Sequence, residues 1–191
     1  MKISLTRETT TPVRANKTDA GIDFFVPAAT EQFIEDLYEA NPTVSILRPD
    51  LSEADIVQAT GIVIAPHKAI LIPAGVRVIV PEGFGLIAKN KSGVSTKKQL
   101  VVGACVVDAG YEGEVHIHLI NTSDKPQIIN FGDKIVQFVL TQLGESDIEV
   151  IEPEAYDALT GSDRGEGGFG SSGTTSETEI VEETTETKGN D

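Results

Sequence analysis

Short apolar runs rich in Val, Ile and Leu recur along most of the chain, broken by Gly, Pro, Asn and Asp. β-branched runs favour strands, and those breakers favour turns. Residues 2–7 alternate enough to predict an opening strand, and residues 19–27 predict a short strand stopped by Pro27. From Gly61 the pattern is dense: 62–64, 69–72, 76–80 and 84–88 are apolar runs punctuated by Pro66, Pro73-Ala74-Gly75 and Pro81-Glu82-Gly83. Many short strands with Gly/Pro turns predict an all-β sandwich or jelly roll.

Residues 31–60 break that pattern. Phe33, Ile34, Leu37 and Tyr38 recur at helical spacing, and Asn41-Pro42 stops the helix they predict. Ser52-Glu53-Ala54-Asp55 resembles a capping box, with Asp for the usual Glu, and predicts a second short helix ending near Thr60-Gly61. Read as an insertion, the segment is expected to be an inert surface decoration, since loops tolerate insertions. Its functional alternative is a lid or a docking patch for a protein partner.

Residues 101–115 predict a β-hairpin whose tip is built of Asp108, Ala109, Gly110, Tyr111 and Gly113. Asp108 leaves an apolar strand where the chain turns. A carboxylate there is expected to be poorly solvated, which suits it to general-base work, although Asp is also a common turn-former. Residues 132–140 predict a turn running into a strand, with Gln137 its polar member. Residues 144–163 are acidic and are expected to be irregular. Arg164 then opens a block with five Gly in ten residues. Such a block holds no fixed shape unaided, because glycine loses most entropy on ordering. It reads either as a flexible tail or as an arm that orders over a ligand. Residues 174–191, rich in Thr and Glu, are expected to be disordered.

The formal net charge of −15 argues against nucleic-acid binding, which rests on Lys and Arg at phosphates. No apolar run approaches a membrane span, and the N-terminus lacks a long apolar h-region. The single cysteine, Cys105, makes no intrachain disulfide and points to a reducing compartment, the cytoplasm. An acidic chain that binds an anionic ligand needs local positive charge or a divalent cation. Lys89, Lys91, Lys97, Lys98 and Arg164, beside the glycine-bearing blocks, are its candidates.

Ser92-Gly93 after a strand, opening a helical turn, can set N–H groups and a hydroxyl against phosphate oxygens. A Walker-type loop is excluded, for no Gly-Lys-Ser/Thr follows the glycines. His116-Ile117-His118 puts two imidazoles on one strand face, but His67 is the only other histidine, so these read as ordinary strand histidines.

Five blocks stand in order: Ala20-Gly21-Ile22-Asp23, Lys91-Ser92-Gly93, the 101–115 hairpin, Gly132-Asp133-Lys134-Ile135-Val136-Gln137, and the Gly-rich 164–173. Together they closely resemble the trimeric dUTP diphosphatases (dUTPases), over roughly residues 1–173 apart from the 31–60 segment. The implied kind is a phage or bacterial member, which for a phage would act in the host cytoplasm. The resemblance implies a β-clip-like jelly roll and a homotrimer. It divides the chain into a β domain over 1–163, an active-site arm over 164–173 and a tail. It implies hydrolysis of dUTP to dUMP and diphosphate, with Mg²⁺ as cofactor, which lowers dUTP and supplies dUMP for thymidylate synthesis. Asp108 takes the role of general base, and Gln137 positions the attacking water. Asp23 reaches the metal through water. Lys91, Ser92 and Gly93 serve the phosphates, although relatives carry Arg at the position of Lys91, and lysine lacks the planar fork. Tyr111 packs on the deoxyribose, His116 lies near the base, and the main chain around Val102, Val106 and Val107 reads uracil. Many relatives have Asn at the place of Val102. Arg164 meets phosphate, and Phe169 and Gly170 close over the base.

Two rivals stand beside this reading. The sister dCTP deaminases place a catalytic Glu ten residues past the Asp, where this chain has His118, and a Trp where it has Tyr111. The other rival is a regulatory nucleotide-binding protein acting through 31–60.

Overall fold

The computed structural model describes residues 1–48, 59–144, 147–162 and 165. The second expected helix, from Ser52, lies outside these residues, as do Arg164, Phe169, Gly170 and the 174–191 tail. The described residues up to 144 form one compact unit, and those from 147 onward belong to a second.

The first unit is built of three antiparallel sheets. One sheet joins β1 (Lys2–Leu5), β5 (Ala69–Ile79), β9 (Glu114–Asn121) and β7 (Leu100–Val102) in that spatial order. A second orders β2 (Ile22–Phe25), β11 (Lys134–Gln142), β6 (Phe84–Asn90) and β8 (Val106–Val107). A third, smaller sheet orders β10 (Gln127–Asn130), β4 (Gly61–Ile64) and β3 (Ser45–Leu47). Strand β9 shows the expected alternation: Val115, Ile117, Leu119 and Asn121 are buried and their neighbours are not. The core is one cluster that includes Phe24, Ile62, Ile72, Leu86, Ile117 and Phe138, with Phe24 and Phe138 rings 4.5 Å apart. The all-β expectation holds, with three small helices added among the described residues.

Five sequence expectations need correction. The 101–115 segment is not a simple hairpin. Leu100–Val102 pairs with β9, but Val106–Val107 crosses to the other sheet and pairs with Leu86 and Ile87 of β6. The chain changes sheet at Gly103-Ala104-Cys105, where the Gly103 and Ala104 N–H groups donate to the His118 carbonyl and Nδ1. A Cβ on Gly103 would sit 2.2 Å from that ring, so glycine is needed for the imidazole to hold the crossing.

Pro73-Ala74-Gly75 does not break the strand either. β5 runs through it with a bulge, spending four steps from Pro73 to Arg77 where β9 spends two from His116 to Glu114. Short strands β3 and β10 were not expected, being too short and polar to show an alternation. In the second unit, residues 144–163 are not wholly irregular, for Pro153–Leu159 forms helix α3 with proline in its first turn.

Finally, the described first part of the 31–60 segment, residues 31–48, is not a surface decoration. Helix α1 (Glu31–Ala40) is capped by Thr30, whose hydroxyl accepts from the Phe33 N–H at 3.2 Å. It buries Phe33, Ile34 and Leu37 in the core, at 0, 3 and 0% exposure. Asn41 ends it and docks it: its amide donates to the Leu37 and Leu71 carbonyls and accepts from the Leu71 N–H. After that turn, β3 adds to the edge of β4.

Candidate active site

Two groups of the expected residues are brought together, each on its own part of the fold. The first lies along the centre of the β2–β11–β6 sheet. Asp23 stands directly opposite Gln137, and Gln137 opposite Lys89. Asp23 is 6% exposed, an unusual placement for a carboxylate, and it is matched by charge. Its Oδ1 takes a short bond from the Lys91 ammonium, and Lys134 approaches Oδ2 at 3.4 Å. The lysine in place of the usual Arg thus keeps the charge and spends it on Asp23.

Gln137 is aimed by its neighbours. Its Nε2 donates to the Asn90 carbonyl at 2.8 Å, and a Cβ on Gly21 would lie 2.3 Å from its Oε1. That close approach is the physical reason for the glycine in the first block. Asn90 also turns its side-chain oxygen to the Val102 N–H at 2.7 Å. It therefore links the Gln137 strand to β7, a role that residue type and spacing gave no means of finding.

Helix α2 (Ser92–Lys98) begins at Lys91 without a side-chain cap. The N–H groups of a first helical turn have no partner within the helix. Ser92 and Gly93 are exposed, and nothing lies within 4 Å of where a Gly93 Cβ would be. Nothing among the described residues requires a glycine at that point. Open donors and a bare backbone suit the close approach of an anion.

The second group lines a pocket of about 190 Å³. Val106, Val107, Asp108, Tyr111 and His116 meet there, over a floor that includes Leu71, Val115 and Phe138. The Tyr111 N–H donates to the Asp108 carbonyl, forming the tip turn, and the Tyr111 hydroxyl donates to the Glu114 carbonyl at 2.8 Å. The tyrosine ring folds over Gly113, where a Cβ would meet its oxygen at 2.4 Å. His116 Nδ1 lies 2.9 Å from the same Glu114 carbonyl, which fixes the proton on that nitrogen.

Asp108 corrects one expectation. It is exposed in the isolated chain, so the desolvated setting foreseen for it is not supplied by its own apolar strands. Val102 does not line this pocket, and its N–H is taken by Asn90. The pocket includes none of Asp23, Lys91, Ser92, Gly93 or Gln137. Among the described residues no group of three or more His, Cys, Asp or Glu is placed to hold a metal. No helix among them is long and apolar enough to cross a membrane.

A family model described as dUTPase matches residues 44–173. A deoxyuridine 5'-triphosphate nucleotidohydrolase of Candida albicans is 41% identical over 120 residues, 62% of this chain and 73% of that protein. The dUTPase of Staphylococcus bacteriophage 80alpha, solved with dUPNHPP, matches 91% of this chain and 98% of its own with a TM-score of 0.65 at 24% identity. A mutant dUTPase from phage phi11 of S. aureus, whose structure is described as showing the coordination of a structural Mg(II) ion, matches 79% of this chain and 95% of its own with a TM-score of 0.56 at 24% identity. The two phage structures share the fold of this chain, and the family model covers more than half of its length: the chain belongs to the dUTPase family.

Proposed function

We propose that the chain hydrolyses dUTP to dUMP and diphosphate in a site assembled between the subunits of a homotrimer. The observation that supports this most is the separation of the two groups. The carboxylate fit to be a base, Asp108, follows the edge strand β8 and sits on an open half-pocket with Tyr111, while the water-positioning Gln137 and the phosphate-binding turn, on and after the inner strands of the same sheet, do not line that pocket. Each group lacks what the other holds, and juxtaposed copies would supply it. A neighbour closing over Asp108 would also desolvate it, which the chain alone does not do.

In this reading Asp108 accepts a proton from a water that the Gln137 amide orients. That water attacks the α-phosphorus in line with the leaving diphosphate. The Ser92 hydroxyl and the Gly93 N–H meet the oxygens on which charge develops. Lys91 and Lys134 offset the charge of Asp23 and leave the phosphate side of this acidic chain less negative. Tyr111, held against Gly113, packs on the deoxyribose and leaves no room for a 2′-hydroxyl. The main chain between Val102 and Val107 reads the uracil edge, with His116 at the pocket wall. Cytosine would leave donors and acceptors there unpaired.

The donor set fits Mg²⁺ in one form only. Mg²⁺ keeps several waters and is held by substrate phosphates with few protein carboxylates. Among the described residues, Asp23 Oδ2 has the Lys134 ammonium at 3.4 Å and can accept a metal-bound water. When bound, the ion neutralises charge on the phosphate chain.

Subunit mixing tests the shared site. Asp108→Asn and Gln137→Ala trimers are each expected to be nearly inactive. Unfolded and refolded together in equal amounts, they should regain about a quarter of the wild-type sites, the statistical share that draws each residue from an intact copy. Mixtures that stay as inactive as their parents would place both residues of one site on a single chain.

A further inference from the structure

Arg7 lies outside every block that the function uses, yet it is one of the most engaged side chains in the molecule. Its guanidinium meets Glu114 through both ends of the fork: Nε to Oε1 at 2.9 Å and Nη2 to Oε2 at 2.6 Å. The remaining Nη1 reaches Asp36 of α1 at 2.8 Å. The Arg7 and Glu114 side chains are 14 and 15% exposed. Burial acts against the charge on Arg7, but the bonds to Glu114 and Asp36 outweigh it and raise the pKa. The guanidinium also lies 5.7 Å from the Phe33 ring centroid.

The β5 bulge is shaped around this group. Gly75 has φ +73°, and a Cβ there would lie 2.6 Å from Arg7 Cγ. Its N–H donates to Glu114 Oε1 at 2.6 Å. A bulge re-aims what lies beside it, and this one opens the ladder where the arginine stem crosses. On the far side of Glu114 is its carbonyl, which accepts from both the Tyr111 hydroxyl and His116 Nδ1. A carbonyl has two lone pairs, so both are spent on the pocket wall.

We propose that Arg7 is a positioning residue: by clamping Glu114 to the β5 bulge and to Asp36 of α1, it sets the placement of Tyr111 and His116 in the substrate pocket. The inference rests on the reading of Tyr111 as the sugar-contacting side chain. It makes α1 part of the frame of the site, because the same guanidinium carries the helix and the pocket wall.

The test is steady-state dUTP hydrolysis by Arg7→Lys and Glu114→Gln, each alone and each combined with Tyr111→Phe. Lysine keeps the charge but not the fork, and glutamine keeps an acceptor for Gly75. Each single variant is expected to raise KM about three- to tenfold and hold kcat within about twofold. A variant that only lost folded protein would show lowered kcat at unchanged KM. Adding Tyr111→Phe should cost less than about twofold more, since the clamp whose effect the Tyr111 bond transmits is already released. Multiplicative losses in the double variants, or unchanged KM in the singles, would overturn the proposal. If Arg7→Lys failed to fold, the Glu114→Gln pair would decide alone. A wild-type chain that did not turn over dUTP would instead refute the proposed function, so the two failures are separable.

Discussion

Replacing Asp108 by Asn is expected to leave nucleotide binding intact and to lower turnover by a factor on the order of 100 to 10,000, the usual contribution of a general base. Asparagine keeps the size and the turn-forming ability of aspartate, so the tip turn from the Asp108 carbonyl to the Tyr111 N–H should survive. What is lost is the one carboxylate among the described residues that line the pocket. His116 donates its Nδ1 proton to the Glu114 carbonyl, which leaves its Nε2 as a second acceptor at the pocket wall. Binding of a non-hydrolysable dUTP analogue, measured beside turnover, separates the two effects. Near-normal turnover would remove Asp108 from the role of base.

Truncating the inner face of α1 is expected to be the most damaging change to stability away from the strands. Phe33 and Leu37 are both fully buried, at 0% exposure. Phe33 also stands edge-on to Phe131, with ring centroids 6.0 Å apart. Phe33→Ala should cost about 3–5 kcal/mol and Leu37→Ala about 2–5 kcal/mol, the range for large-to-small changes in well-packed cores. Bridging out residues 31–60 with Gly and Ser should expose the core surface that α1 covers and leave Arg7 without its bond to Asp36. Denaturant midpoints of the three variants check this. A bridged chain as stable as the wild type would return α1 to the status of decoration.

The error over that segment shows what the sequence could and could not carry. The helix itself was legible, because Phe33, Ile34 and Leu37 recur at helical spacing and Asn41-Pro42 stops it. Which surface that face covers was not legible, since an apolar stripe looks the same on a core helix and on a docking helix. The site divides in the same way. Asp23, Gln137, Lys91 and Ser92-Gly93 were singled out by the fixed order of their blocks, and the structure sets Asp23 opposite Gln137 on one sheet with Lys91 bonded to Asp23. Asn90, Lys134 and Arg7 act through contacts with residues far along the chain, and no local period marks such residues. The crossing of Val106–Val107 to the second sheet was missed because a strand of two residues carries no alternation to read. The exposure of Asp108 was missed for a different reason. An apolar run says that a strand will be covered, but not whether its own chain supplies the cover.

Incubating the protein with dUTP, dCTP, dTTP, dATP and dGTP in turn, each with Mg²⁺, and quantifying diphosphate and nucleotide products tests the central claim most directly. The account predicts dUMP and diphosphate from dUTP, little release from the other four, and loss of the activity in Asp108→Asn. Deamination of dCTP, or comparable diphosphate release from all five nucleotides, would contradict it.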